Sequence, residues 1–227
     1  PIFLACEEEK VNYMDMAMSL SRPHPTDPFN KPGVKLGDEQ FERAKNWNDA
    51  GIYAVVGMGI EPGMSDVFAR YAQDELFSRI DYLAVMDGSN LTVDGFDFAP
   101  SFSIWTTIEE CLNPPLIWDN GSYRTAKPFT GGVTFDFPEG IGPVECVDVE
   151  HEEVVLIPQK IEARKVNFKY GLGAQFITTL KTIHMLGMDR KDTVDVQGVA
   201  VSPRDLLTAS LPDPATLGER MRGKTCA

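Results

Sequence analysis

The stretch Ala54-Val-Val-Gly57-Met-Gly59-Ile-Glu61-Pro62-Gly63-Met-Ser65-Asp66 constrains the fold of this chain more than any other. An apolar run ends in a glycine-rich turn, and Met64, Val67, Phe68, Tyr71 and Leu76 follow at helical spacing. Strand, turn and helix in that order form the unit at whose strand end α/β folds bind their ligands. Pro62 suits the entry to a helix, and Ser65 or Asp66 can accept from its first-turn amides. The glycines read G-x-G-x-x-x-G, which is not the dinucleotide-binding G-x-G-x-x-G. The turn is therefore expected to bring backbone close to a ligand without gripping a pyrophosphate.

Around this unit the chain alternates. A helix runs through Cys6, a strand from Val11 to Asp15, a helix from Asp38 (its N-cap) to Ala50 with Gly51 just past its end, and a strand from Ile52 to Gly57. That rhythm predicts parallel strands. Between the first strand and the second helix, Arg22 to Gly33 carries four prolines and reads as a long surface loop. From Ile80 onward the grammar changes. Strands are expected at Ile80–Met86, around the alternating Val133, Phe135 and Phe137, and at Val144–Val149, Glu153–Ile157 and Lys165–Tyr170. Helices are expected at Phe102–Leu112 and Ala174–Leu186, with a short one entered through Ser202-Pro203-Arg204-Asp205. Successive strands without intervening helices predict a mixed or antiparallel sheet.

Charge excludes some partners. The 21 Lys and Arg stand against 34 Asp and Glu, a formal net charge of −13, which argues against nucleic acid or an anionic membrane. Cys6, Cys111, Cys146 and Cys226 are scattered, with no C-x-x-C pair, so a reduced, cytoplasmic setting is expected. No apolar run approaches the roughly 18 residues of a membrane span.

The densest ionisable cluster is Glu150-His151-Glu152-Glu153, and a histidine flanked by carboxylates can move protons or bind a metal. Read as part of a strand, positions 150 and 152 face one side and 151 and 153 the other, so at most His151 and Glu153 converge. These two are the candidates for proton transfer, against a solvated or interface strand, and no metal site is expected. Lys169, with Arg164 and Lys165, lies near Gly171 and Gly173, where a cation can receive a substrate carboxylate or merely protect a solvated strand edge. Arg204 falls in the first turn of its helix, where a cation opposes the dipole.

Several segments resemble the saccharopine dehydrogenase (saccharopine reductase, lysine dehydrogenase-like) family. The turn through Pro62-Gly63 is similar to the family's G-x-x-P-G turn. Ala5 to Asp15 resembles its helix leading to a Tyr-x-Asp strand, and Phe41-Glu-Arg-Ala44 through Ile52 its next helix. Phe102-Ser103-Ile-Trp105-Thr106, followed by Asn120-Gly121, is similar to its Phe-Ser-Trp-Ser segment and later turn, with an isoleucine inserted before the tryptophan.

The resemblance implies an α/β fold: the C-terminal half of a Rossmann-like parallel sheet over residues 1–80, then an α+β domain with a mixed or antiparallel sheet over residues 81–227 for substrate binding and dimerisation. It implies an NAD- or NADP-dependent oxidoreductase acting on the C–N bond of an amino acid of the saccharopine or lysine type, working as a homodimer. Resemblance and strand-end geometry together make Asp15, Gly59, Glu61 and Gly63 the candidates to meet the nicotinamide end of the cofactor or the substrate; Ser103 and Trp105 join them as substrate candidates through the resemblance, and Lys169 and Arg204 through their charge and position. Asp15, Glu61, Ser103 and Trp105 are then expected around one cleft. The family begins with a true G-x-G-x-x-G/A loop that residues 1–53 do not supply. The chain is thus expected to be a fragment cut at both ends, binding cofactor poorly by itself, the alternative being a non-catalytic dimerising module.

Overall fold

The structure is a computed structural model that describes residues 1–226. α1 (Ile2–Glu8) leads into β1 (Tyr13–Met14), which pairs in parallel with β2 (Ala54–Val55), as the alternation predicts. Both strands are shorter than expected, because only two residues of each find a ladder partner. The predicted helix over 38–50 is broken into α2 (Asp38–Phe41) and α3 (Ala44–Ala50). Gly37 caps α2, while the Asp38 carboxylate turns back to accept from the Lys35 amide at 2.8 Å.

After the turn, α4 (Met64–Tyr71) continues as a π-helical segment to Leu76, and the chain enters a seven-stranded mixed sheet. Its long strands are β3 (Ile80–Ser89), β8 (Gly142–Val149) and β9 (Ala163–Gly171), the last with β3 in parallel along one edge. The other edge of β9 is shared: its start pairs with β5 (Leu116–Asp119) and its end with β8, both antiparallel. β5 forms a hairpin with β6 (Ser122–Thr125), and β7 (Val133–Phe137) pairs with β8. β4 (Thr92–Val93) lies outside this sheet and pairs with β12 (Met221–Arg222), while β13 (Thr225–Cys226) adds to the far edge of β3. A small hairpin of β10 (Val194–Val196) and β11 (Val199–Val201), unforeseen in the sequence, forms a separate two-stranded sheet.

Two helices cover one face of the sheet. Ser103 caps α5 (Ile104–Leu112), accepting from the Thr106 amide at 3.3 Å, so the helix starts two residues later than Phe102. α7 (Gly173–Met185) lies beside it, and Ile104, Ile108, Cys111, Ile177, Leu180 and Ile183 pack on Val147, Val149 and Phe168. Met18 and Leu36 join this same core, which ties the first part of the chain to the sheet. Alternation sends Val144, Cys146 and Asp148 to the opposite face, where Phe137 and Ile141 pack.

The expected strand Glu153–Ile157 is a helical turn instead, α6 (Glu153–Leu156), followed by a 3-10 turn to Gln159. Its apolar run is too short for periodicity to decide, and every residue from Glu153 to Val155 is buried, a demand a one-sided strand cannot meet. α8 (Pro203–Ser210) begins as expected behind Ser202, whose hydroxyl accepts from the Asp205 amide at 3.2 Å. Among the described residues no helix is long and apolar enough to cross a membrane.

Candidate functional site

β3 and β9 run parallel and end together, and a cleft of about 520 Å³ opens there on the helix-covered face. Register places Asp87 of β3 directly beside Tyr170 of β9, and both line the cleft. Phe168, two residues earlier on the same face, forms its floor. The turn after β2 delivers Ile60 and Glu61 to one wall, α5 delivers Glu110, and the segment after β8 delivers His151.

His151 is held rigidly. Its ring stacks on Phe168 with centroids 3.9 Å apart and planes 9° from parallel. Its Nδ1 is hydrogen-bonded to the carboxylate of Glu153, a fully buried residue at the head of α6. The second Glu153 oxygen accepts from Ser65 Oγ of α4 at 2.8 Å, so two helices fix the carboxylate that fixes the ring. Burial alone would pull the imidazole pKa down. The Glu153 hydrogen bond and the charges of Glu153, Glu152 and Glu110 outweigh it and raise His151 to about 9. His151 itself lines the cleft, with Nδ1 engaged by Glu153.

Around this imidazole the carboxyl groups are pushed upward by burial despite the charge of His151. Burial, reinforced by the charge of Asp87, lifts Glu61 to about 8. Burial lifts Glu110 to about 7 and Asp66 of α4 to about 6, and pushes Asp87, Glu150 and Glu152 upward as well. The Tyr170 phenol rises for the same reason. None of the residues lining the cleft is a lysine or arginine. Shifted acids gathered in one cleft mark a functional site.

The sequence candidates are only partly united here. His151 and Glu153 do converge, through a turn and a helix start rather than a strand, and they are buried rather than solvated. Glu61 lines the same cleft, and Gly59 and Gly63 shape its turn: the Gly59 amide donates to Pro62 O at 2.8 Å and the Gly63 amide to Asp66 at 3.0 Å. Gly63 has φ of +128°, and a Cβ there would lie 2.4 Å from the Gly59 carbonyl oxygen. Gly63→Ala should accordingly cost about 1–3 kcal/mol, read as a lower urea midpoint with unchanged slope. An unchanged midpoint would refute this account of the turn.

Asp15 touches the turn through backbone, its carbonyl accepting from Met58 N at 3.1 Å, but its carboxylate is bound to Tyr13 and lines a different groove. Ser103 is exposed as the α5 cap, and Trp105 lies under the Arg204 guanidinium at 4.9 Å. Arg204 is buried, ion-paired to Glu109 at 3.0 Å and donating to Asp189 O at 2.6 Å. Asp15, Glu61, Ser103 and Trp105 therefore do not surround one cleft. Lys169 faces the other side of the sheet from Phe168 and Tyr170; it is not a solvated edge residue but lies buried on the central strand, donating to Asp148 at 2.7 Å and to Gly131 O. His184 is exposed and bonded to Asp189 at 2.6 Å.

Asp87, Glu110 and Tyr170 are not singled out by the sequence, and Ser65 only as a helix cap, whereas its hydroxyl donates to Glu153. The available signal was the paired Glu109-Glu110 on an otherwise apolar helix face: one serves Arg204, the other the cleft. Ligand atoms of His151, Glu152 and Glu153 lie within 4.8 Å of one another, a spacing that can hold a cation, although Glu153 is already engaged by His151 and Ser65. For a dinucleotide the residues do not fit at its pyrophosphate. The Gly57, Gly59 and Gly63 amides are all taken by internal acceptors, so the glycines of the turn offer no donors to a pyrophosphate.

The profile of the saccharopine dehydrogenase C-terminal domain matches residues 59–225. Carboxynorspermidine synthase of Vibrio cholerae is 29% identical over 229 residues, covering 99% of this chain and 53% of its own length. Carboxyaminopropylagmatine dehydrogenase of Synechocystis sp. is 29% identical over 228 residues, covering 97% of this chain and 53% of its own. The chain thus spans about half the length of the curated relatives it matches. Among solved structures, apo saccharopine dehydrogenase (L-Glu forming) from Saccharomyces cerevisiae superposes with a TM-score of 0.55 at 15% identity, over 85% of this chain and 42% of that one. Homospermidine synthase from Legionella pneumophila, in complex with NAD, gives 0.56 at 12% identity, over 82% and 50%. At those identities the likeness concerns fold.

Proposed function

The chain belongs to the saccharopine dehydrogenase family, and from that premise we propose that it supplies the substrate-binding and proton-handling part of an NAD(P)-dependent oxidoreductase acting on a carbon–nitrogen bond of an amine-rich substrate. One observation carries the reading. The cleft gathers Glu61, Asp87 and Glu110 around His151 with no lysine or arginine in its lining. A carboxylate-rich substrate of the saccharopine type calls for arginine forks or lysines, whereas cationic amines complement this wall. The polyamine conjugates named in the relatives are therefore favoured over saccharopine.

Interconversion of an imine and an amine needs a hydride at carbon and a proton at nitrogen. NAD or NADP supplies the hydride chemistry in such an enzyme, and the groups that would grip its pyrophosphate are not among these residues. The work of this chain is the remainder. The carboxylates orient the amine, Phe168 and the helices exclude water, and His151 Nε2 gives or takes the proton at nitrogen. Glu153 and Ser65 set the tautomer and angle of the ring.

Calorimetric titration of the full chain with norspermidine and with saccharopine tests this. The amine should bind at least about tenfold more tightly, a difference near 1.4 kcal/mol. A preference for saccharopine would overturn the proposal.

A further inference from the structure

The cleft does not end at Tyr170. A second cavity of about 110 Å³ adjoins it, and Leu91, Ser101, Phe102 and Tyr170 line both. The two differ in charge. The first holds Glu61, Asp87, Glu110 and His151, whereas none of the described residues lining the second is an acid, a base or a histidine. The hydroxyl of its buried Thr107 turns back to donate to Ser103 O at 3.1 Å. An ammonium group in that chamber would lose its water with no carboxylate in exchange, while a methylene chain there would gain from burial. We propose that the two chambers form one elongated site: the cationic nitrogen of the substrate lies in the first, and an uncharged stretch of its carbon skeleton runs past Tyr170 into the second, where Phe176 limits its length.

The second chamber is held open by packed elements rather than left as a gap between loose ones. Phe176 of α7, which lines it and not the first, packs against Phe98 with ring centroids 5.0 Å apart, and both rings rest on the main core. Another wall is the loop before α5, which contributes Ala99 and Ser101. Gln175 Nε2 of α7 donates to Asp97 O of this loop at 3.3 Å, tying the two walls together. Phe102, although 55% exposed, borders both chambers, so a chain passing between them covers part of its ring and gains further from burial.

The inference rests on the amine reading of the cleft, and its test separates the two. The full chain is titrated calorimetrically at pH 7 with propylamine, butylamine, hexylamine and octylamine. Affinity should rise by about fourfold per added methylene, the worth of a buried CH₂, until the second chamber is filled, and then level off. Ala99→Leu, which fills that chamber from the loop, should flatten the rise, and Phe176→Leu, which trims its wall, should carry the rise to longer chains. Each variant is compared with itself along the series, so a loss of folded protein cannot imitate either change. Amines that bind with no dependence on length would overturn the two-chamber site and leave the amine reading standing. A rise that persists unchanged in Ala99→Leu would place the chain elsewhere and overturn it as well. No binding of any amine would sink both.

Discussion

On the proposed function, His151→Gln should lower turnover of the full-length protein by about 10²–10⁴-fold, the usual worth of a positioned acid–base group. Glutamine can still donate to Glu153, so the buried carboxylate keeps a partner and the fold should survive. What it cannot do is exchange a proton at the position of Nε2. Glu153→Gln gives the complementary result. That carboxylate props the imidazole pKa up to about 9 against burial, which pulls it down. With the charge gone burial prevails, and the limb of the pH–rate profile belonging to His151 should move to lower pH, with a smaller loss of rate than in His151→Gln. A rate within threefold of wild type in His151→Gln, or an unmoved limb in Glu153→Gln, would remove the pair from the chemistry.

The largest stability effect is expected on the other face of the sheet. Lys169 and Asp148 sit opposite one another on β9 and β8 and are both almost wholly buried. The same Asp148 oxygen also accepts from Asn167 Nδ2, and Gly131 is pressed so close that a Cβ there would lie 1.9 Å from the carboxylate. Lys169→Met strands a buried carboxylate, which costs about 3–5 kcal/mol. In a chain of this size that lowers Tm by about 10 °C. The double variant Lys169→Met/Asp148→Leu removes both charges and should recover most of the loss, because the penalty lies in the unpaired ion rather than in the missing pair. A single variant within about 1 kcal/mol of wild type would contradict this view of the network. The same experiment addresses Lys169 as a substrate residue: its effect should appear in unfolding and not in amine affinity.

Local signals carried much of the fold. The turn at Gly57–Gly63, the parallel pairing of β1 with β2, the strands β3, β8 and β9, and helices α5, α7 and α8 all announce themselves by periodicity, caps or glycine stops. The segment Glu153–Ile157 did not, since five apolar or buried residues satisfy a strand and a helical turn equally well until the surrounding core is known. The site was harder for a related reason. Glu61, His151 and Glu153 stand out as ionisable groups in telling places, but Asp87 and Tyr170 gain meaning only from the β3–β9 register, which joins residues 83 positions apart. Trp105 and Arg204 illustrate the opposite error. Trp105 stands out in sequence through the resemblance of its segment and Arg204 as a cation in a first helical turn, and the structure joins them as a guanidinium stacked on an indole and paired with Glu109.

The cleft draws its walls from the turn after β2, the end of β3, α5, the segment after β8, β9 and β13. No hairpin or helix pair owns it. A folding chain must therefore close most of its long loops before any part of the cleft exists, which places assembly late and favours slow folding. It also means that a ligand recognises only the fully folded state. At a hundred times its Kd such a ligand would stabilise the whole molecule by about 2.7 kcal/mol. Supply of substrate would then govern how long each copy survives proteolysis as well as how fast it works.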